Sequence, residues 1–280
     1  MQSLPNGCPL FNFCLSQLLW LVSQGSSDQD LTGASFPFPT DPDDHCESPL
    51  IAYAHIQPLL LHIQSANHKL ASTNGLHIYD PYYCNGAVVQ NLKALGFLNV
   101  YNKKEDCYQI WSSPTSYPTF DVLLTNPPYS SDHVEKLIRH VTGPRLKQKP
   151  WFLLMPEWVH KKDYFVEQMK RHELQPFFLV PKKRYVYLPP KHFRESKKSD
   201  VHKKSSPFNS MWYIWGGTKD QNDRLIRHYY NNCTFPTVVA SDETTCSVTK
   251  QRALMEDVDL ARSKNALRDL RRKHKKWRSM

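Results

Sequence analysis

Residues 121–130 read Asp-Val-Leu-Leu-Thr-Asn-Pro-Pro-Tyr-Ser and hold the clearest chemistry in the chain. The apolar run Val122–Thr125 predicts a strand. Two prolines, which lack a backbone N–H, must end it and send the chain into an extended turn. Asn126, Pro127, Pro128 and Tyr129 therefore fall at the carboxyl edge of a sheet, where open α/β folds hold ligands. An amino group on a flat ring suits such a turn. Its two N–H bonds can go to the Asn126 side-chain oxygen and the Pro127 carbonyl, with Tyr129 stacking on the ring face. The bland alternative is a strand followed by a proline turn, with Tyr129 simply packed.

The elements that must position this turn lie upstream. His77–Tyr79 reads as a short strand ending on Asp80. A loop follows through Tyr82, Tyr83 and Gly86, then a helical pattern through Leu92 and Leu95 with a stop at Gly96. Leu98–Tyr101 predicts a second strand. Glu105 and Asp106 come about 20 residues after Gly86, the spacing at which a dinucleotide-binding unit puts its ribose-binding acid.

Strand, acidic loop, helix, strand, acid, strand and Asn-Pro-Pro-Tyr, in that order, resemble the class I S-adenosylmethionine-dependent methyltransferases of the amino-methylating group, over roughly residues 45–217. The resemblance implies a Rossmann-like α/β fold: a mostly parallel twisted sheet, helices on both faces, and a closing antiparallel strand pair. It implies that Asp80–Gly86 is the cofactor loop, with Asp80, Tyr82 and Gly86 on it. Asp106 or Glu105 would hold the ribose hydroxyls or adenine, and Asn126–Tyr129 the target amine. His45-Cys46-Glu47-Ser48-Pro49 resembles an element that touches the methionine part of the cofactor in some members, which makes Ser48 a candidate. The chain departs from the family in two ways. Tyr82 and Tyr83 stand where small residues are usual, and the short, proline-containing stretch from Tyr108 to Asp121 leaves the third strand and its helix short or missing.

Composition bounds the partners. The first Lys or Arg is Lys69, and six acids precede it. Residues 69–280 carry 36 basic and 20 acidic residues, net +16. So basic a body predicts a polyanionic partner, nucleic acid above all. Two stretches concentrate the charge. Residues 191–204 hold Lys191, Arg194, Lys197, Lys198, Lys203 and Lys204, and 268–278 hold seven Lys or Arg. Either is a phosphate-contacting surface or a solvated charge run, and the second also suits a nuclear or nucleolar import signal. The seven cysteines have no zinc-type pair spacing and point to a reducing compartment. The apolar segment 10–22 is too short to span a membrane.

Three units are expected: a poorly ordered extension over 1–45, a methyltransferase domain over 46–217, and a basic extension over 218–280 ending in a helix or tail. Within them, Leu50–Leu70 predicts a helix with Pro58 as a kink or break, and Arg184–Leu188 a continuation of the strand Phe177–Val180. Residues 218–250 show no periodicity, and 251–280 read as a helix. The expected function is methyl transfer from S-adenosylmethionine to an exocyclic amine of a nucleic-acid base, RNA favoured, with or without a partner subunit. The rivals are a protein glutamine methyltransferase and an inactive methyltransferase-fold scaffold that binds RNA.

Overall fold

In a computed structural model, the described residues are 36–38, 40–41, 44–66, 75–113, 115–187, 209–234 and 258–278. They build a seven-stranded mixed sheet between two layers of helices. The elements run α1 (Leu50–Ala66), β1 (His77–Tyr79), α2 (Ala87–Ala94), β2 (Asn99–Tyr101), α3 (Cys107–Ser112), β3 (Val122–Thr125), α4 (His133–Thr142), β4 (Pro150–Pro156), α5 (Asp163–Arg171), β5 (Phe177–Pro181), β6 (Ser210–Gly216), α6 (Lys219–Thr234), β7 (Val258–Ala261) and α7 (Lys264–Arg278). The strand order is β2-β1-β3-β4-β6-β5-β7. The pairs among β2, β1, β3 and β4 are parallel; those of β6 with β4 and β5, and of β7 with β5, are antiparallel. Five strands thus point one way, and β6 and β7 run against them.

Alternation along the strands divides the core. Ile78, Val122, Leu124, Phe152, Leu154, Leu179, Trp212 and Ile214 pack against α1, α2 and α6. Leu123, Trp151, Leu153, Met155, Phe178, Tyr213 and Trp215 face α4, α5 and Leu267 of α7. Strand β6 lies between β4 and β5 and is buried along its whole length, and the Trp212 Nε1–H donates to the Ala52 carbonyl of α1 at 3.0 Å.

The expected mostly parallel sheet with an antiparallel pair, Phe177–Pro181 against Ser210–Gly216, is present. Helix α2 ends as its sequence predicts. Gly96, at φ +93°, takes the left-handed position after the last turn, and Phe97 N–H returns to the Leu92 carbonyl. The third unit is short: α3 has six residues and, among the described residues, no strand separates it from β3.

Four expectations need correction. Pro58 neither breaks nor ends α1, which runs as one 17-residue helix to Ala66 with Pro58 itself buried. Residues 184–187 are not strand; β5 stops at Pro181, where Lys182, Lys183 and Arg184 turn into solvent. The stretch without periodicity contains α6, whose described apolar contacts are Leu225, Ile226, Tyr229 and Tyr230 in a helix rich in polar residues. Residues 251–280 are not one helix, because Val258–Ala261 adds β7 to the sheet before α7 begins. Among the described residues no helix is long and apolar enough to cross a membrane. Segments 10–22 and 191–204 lie outside the described residues.

Candidate active site

Parallel strands deliver their ends to one edge. Asp80 follows β1, Asn126 follows β3, Glu157 follows β4 and Lys182 follows β5. The Asp80 side chain is 5 % exposed, and burial pushes its carboxyl up to about 7. The Thr125 hydroxyl, donating to Oδ1 at 2.5 Å, and the Tyr82 N–H oppose that shift, while the nearby Glu47 adds to it. The Asn102 amide donates to the carbonyls of Asp80 and Tyr82 and holds the loop in shape.

Gly86 sits at φ +81° as the N-cap of α2, a conformation that suits glycine, and it has no side chain to cap the helix. Glu47 supplies the cap from a distance. Its Oε1 accepts from Asn85 N–H at 2.7 Å and from Ala87 N–H at 3.5 Å, and burial raises its pKa. Ser48, the residue chosen from the sequence, is buried beneath the loop with its carbonyl accepting from Asn91. Glu47 lies one position before it in the same element, so the element was legible and the working residue was not.

A cavity of about 540 Å³ opens beside this loop. Pro81, Tyr82 and Tyr83 form one wall, Glu105–Tyr108 a second, and Pro128, Ser130, Ser131 and His133 a third; Phe38, Thr40, Asp41, Asp44 and His45 close it from the N-terminal side. Asp44 joins two of these walls, since its carboxylate accepts from the hydroxyl and the N–H of Ser130. The site therefore begins several residues before 46. Four carboxylates line the cavity, Asp41, Asp44, Glu105 and Asp106, and among the described residues no Lys or Arg does. Asp106 Oδ1 caps α3 through the N–H groups of Tyr108 and Gln109, and Glu105 accepts the Tyr101 hydroxyl at 2.8 Å. Tyr82 turns inward, its hydroxyl 3.2 Å from that of Tyr108, which in turn bonds His133 Nδ1. This aromatic wall is what the bulky loop builds in place of a glycine-rich turn.

The Asn-Pro-Pro-Tyr turn joins the cavity through Pro128. Pro127 is buried, and Asn126 and Tyr129 are half-buried. The Tyr129 hydroxyl donates to Asn126 Oδ1 at 2.5 Å and lies 3.2 Å from the Leu154 carbonyl. Burial drives the Tyr129 pKa far up, so the group stays protonated and remains a donor. The Tyr187 and Ser210 hydroxyls lie near enough to perturb it. Neither drew notice in the sequence, because each belongs to a segment far from the motif. Tyr129 thus does more than offer a ring: it fixes the orientation of the Asn126 amide and leaves that oxygen a second lone pair.

Beyond β4 and β5 the same edge changes sign. Lys161 and Lys162 follow β4, Lys182, Lys183 and Arg184 follow β5, and all five are exposed. Arg271 of α7 donates to the Glu157 carbonyl at 2.7 Å, with Nε 3.6 Å from the Glu157 carboxylate.

An acid-lined cavity suits a ligand that carries positive charge, and 540 Å³ falls within the usual size range of small-ligand and cofactor sites. No protein-family model matches the chain, and no curated protein matches it.

Proposed function

We propose that the protein is an S-adenosylmethionine-dependent methyltransferase acting on an exocyclic amino group of a nucleic-acid base, with RNA the favoured substrate. One observation carries the reading: Pro81–Tyr83 of the cofactor loop and Pro128 of the Asn-Pro-Pro-Tyr turn line the same carboxylate-lined cavity, with Asp80, Gly86, Asn126 and Tyr129 next to them in the chain but not on its lining. The cofactor carries a sulfonium and an ammonium group, so its charge fits that lining. The Glu105–Asp106 pair lies on the wall facing the loop, within reach of a ribose.

The cofactor supplies the methyl group and its own leaving group, which leaves the protein to position the amine. A ring amine is a poor nucleophile because its lone pair is delocalised. Accepting bonds at Asn126 Oδ1 and the Pro127 carbonyl would hold the nitrogen in line and favour its pyramidal form. Asn126 can do this while accepting the Tyr129 hydroxyl, since an amide oxygen has two lone pairs. A duplex base must be flipped out to enter such a site. Single-stranded RNA loops offer unstacked bases at lower cost, and the net +16 of residues 69–280 favours a polyanion. A nuclear or nucleolar location follows from the same basic tail.

The test is calorimetry with S-adenosylmethionine, followed by labelled methyl transfer to total RNA beside a protein extract. The expected result is saturable heat and label in RNA. Absence of heat at millimolar cofactor overturns the reading, and label confined to protein would make a glutamine amide the substrate.

A further inference from the structure

The basic C-terminal segment is a docked element with a direction. Strand β7 begins opposite Pro181, at the carboxyl edge, and runs down to Ala261 opposite Phe178. The Ser263 hydroxyl accepts the Ala266 N–H and starts α7 at the far end of the sheet. Helix α7 then returns toward the carboxyl edge. Leu267 is fully buried, Ala266 and Leu270 pack on the same apolar cluster, and Arg271 reaches Glu157 just past the end of β4. From Arg271 the helix continues for seven residues, about 10 Å at 1.5 Å per residue. Five of those seven are Lys or Arg: Arg272, Lys273, Lys275, Lys276 and Arg278. The one acid of α7, Asp269, lies behind the anchor, its carboxylate 4.0 Å from the exposed Arg272 guanidinium. Asn126 is on the order of 10 Å from the anchor, reckoned from one strand spacing and three residues of extended chain. Lys161, Lys162, Lys182, Lys183 and Arg184 belong to the same half of the edge.

We propose that α7 is a basic arm, clamped by Arg271 on Glu157, that holds the phosphate backbone of a nucleic-acid strand along the β4–β5–β7 half of the carboxyl edge while one of its bases enters at Asn126. The arm deepens the methyltransferase reading and rests on it for the identity of the entering base. Phosphate is the matching chemistry, because five Lys or Arg within seven residues of one helix concentrate positive charge against a polyanion. A free polycationic tail would attract the same strand, but it would not fix where the strand lies.

The experiment uses the full chain and a labelled 20-nucleotide mixed-sequence RNA single strand, titrated across salt concentrations. In one variant Arg272, Lys273, Lys275, Lys276 and Arg278 are all changed to Gln. They lie beyond the anchor, so the melting temperature and cofactor affinity should stay as in the wild type. The slope of log K against log salt should fall by up to about 3.5, at roughly 0.7 for each single-strand phosphate that the variant leaves unneutralised. Affinity at physiological salt should drop at least tenfold. In a second variant, Arg271→Gln, the distal charges remain and the clamp is removed. A docked arm predicts a several-fold loss of affinity, with the slope reduced by no more than about 0.7, the value of one phosphate. An unchanged slope in the five-residue variant overturns the proposal, and so does a poly-glutamate control that binds the wild type as tightly as the RNA. Arg271→Gln binding RNA as the wild type does would reduce the arm to a free tail. Cofactor calorimetry run in parallel separates the two claims: an arm that binds RNA in a chain giving no cofactor heat leaves this inference standing and removes the methyltransferase reading.

Discussion

The two halves of the carboxyl edge differ in sign. Over β2, β1 and β3 the acids Asp41, Asp44, Glu105 and Asp106 line the cavity, with buried Asp80 and half-buried Glu47 close by, while Lys103 and Lys104 follow β2 outside that lining. Over β4, β5 and β7 the exposed residues include Lys161, Lys162, Lys182, Lys183, Arg184 and Arg272, and the acids there, Glu157, Asp163 and Asp259, are fewer. A chain with formal net charge +10 has gathered carboxylates into one cavity and kept basic residues off its described lining. That separation opposes folding on the acidic side, where burial raises the pKa of both Asp80 and Glu47. Carboxyls with raised pKa beside a cleft are candidates for function. The proposed cationic cofactor and polyanionic substrate would meet across one turn in this arrangement, with Asn126 at the seam.

The largest expected effect is at the seam itself. Asn126→Ala removes the acceptor aimed at the reacting nitrogen and should cost about 3 kcal/mol of barrier, over a hundredfold in rate. Cofactor heat and RNA affinity, which belong to the two halves, should change little. Methyl transfer to total RNA, measured beside melting temperature, checks this. A folded variant that transfers as fast as the wild type puts the chemistry elsewhere, and an unfolded one makes the turn structural.

The acidic half can be sharpened by pH. The Asp80 carboxyl is raised from 3.8 to about 7 in the folded chain. The proton it holds stabilises the fold fully below pH 3.8, and that contribution is lost as pH rises toward 7. Between those limits the wild type should lose up to about 1.4 kcal/mol per pH unit from this group alone. Asp80→Asn keeps an acceptor for the Thr125 hydroxyl and removes the titration. Urea midpoints from about pH 5 to 8 should therefore fall more steeply in the wild type than in the variant. Parallel curves would mean that the carboxyl does not titrate there, and the contrast between the halves would lose its buried member.

Much of this edge was legible because its residues constrain the backbone locally. Prolines 127 and 128 must end a strand, and Gly96 must stop α2. The parts that were hidden depend on distant chain. Glu47 caps a helix forty residues away, Asp44 bonds Ser130 across 86 positions, and Tyr187 meets Tyr129 from a loop read as extended strand. Helix α6 hid because its apolar residues cluster at 225–226 and 229–230 amid polar residues and charges, too few to give a readable period. Strand β7 hid because four residues form a strand only where β5 offers an edge.

Tyr129 tests a point at which sequence and structure part. A stacking ring alone predicts that Tyr129→Phe is mild. The hydrogen bond to Asn126 Oδ1 predicts that the Asn126 amide loses its orientation. The net worth of such a bond is about 1 kcal/mol, so the rate should fall roughly fivefold while base binding holds. A rate equal to wild type would return Tyr129 to a stacking role.

Asp106 gives the smallest effect and the cleanest separation of charge from scaffold. Its carboxylate caps α3, a six-residue helix held otherwise by Cys107 and by the aromatic contacts of Tyr108 and Trp111. Asp106→Ala should lose about 1 kcal/mol of stability with the cap. Cofactor affinity should fall with it, because α3 carries the cavity wall residues Cys107 and Tyr108. Asp106→Asn retains an oxygen that caps almost as well, so its melting temperature should stay near wild type. If the negative charge of the cavity attracts a cationic cofactor, the Asn variant should still bind it several-fold more weakly, and the deficit should shrink as salt screens the interaction. If Asn binds as tightly as Asp while Ala does not, residue 106 serves the helix alone. The electrostatic case for the acidic half would then rest on Asp41, Asp44 and Glu105.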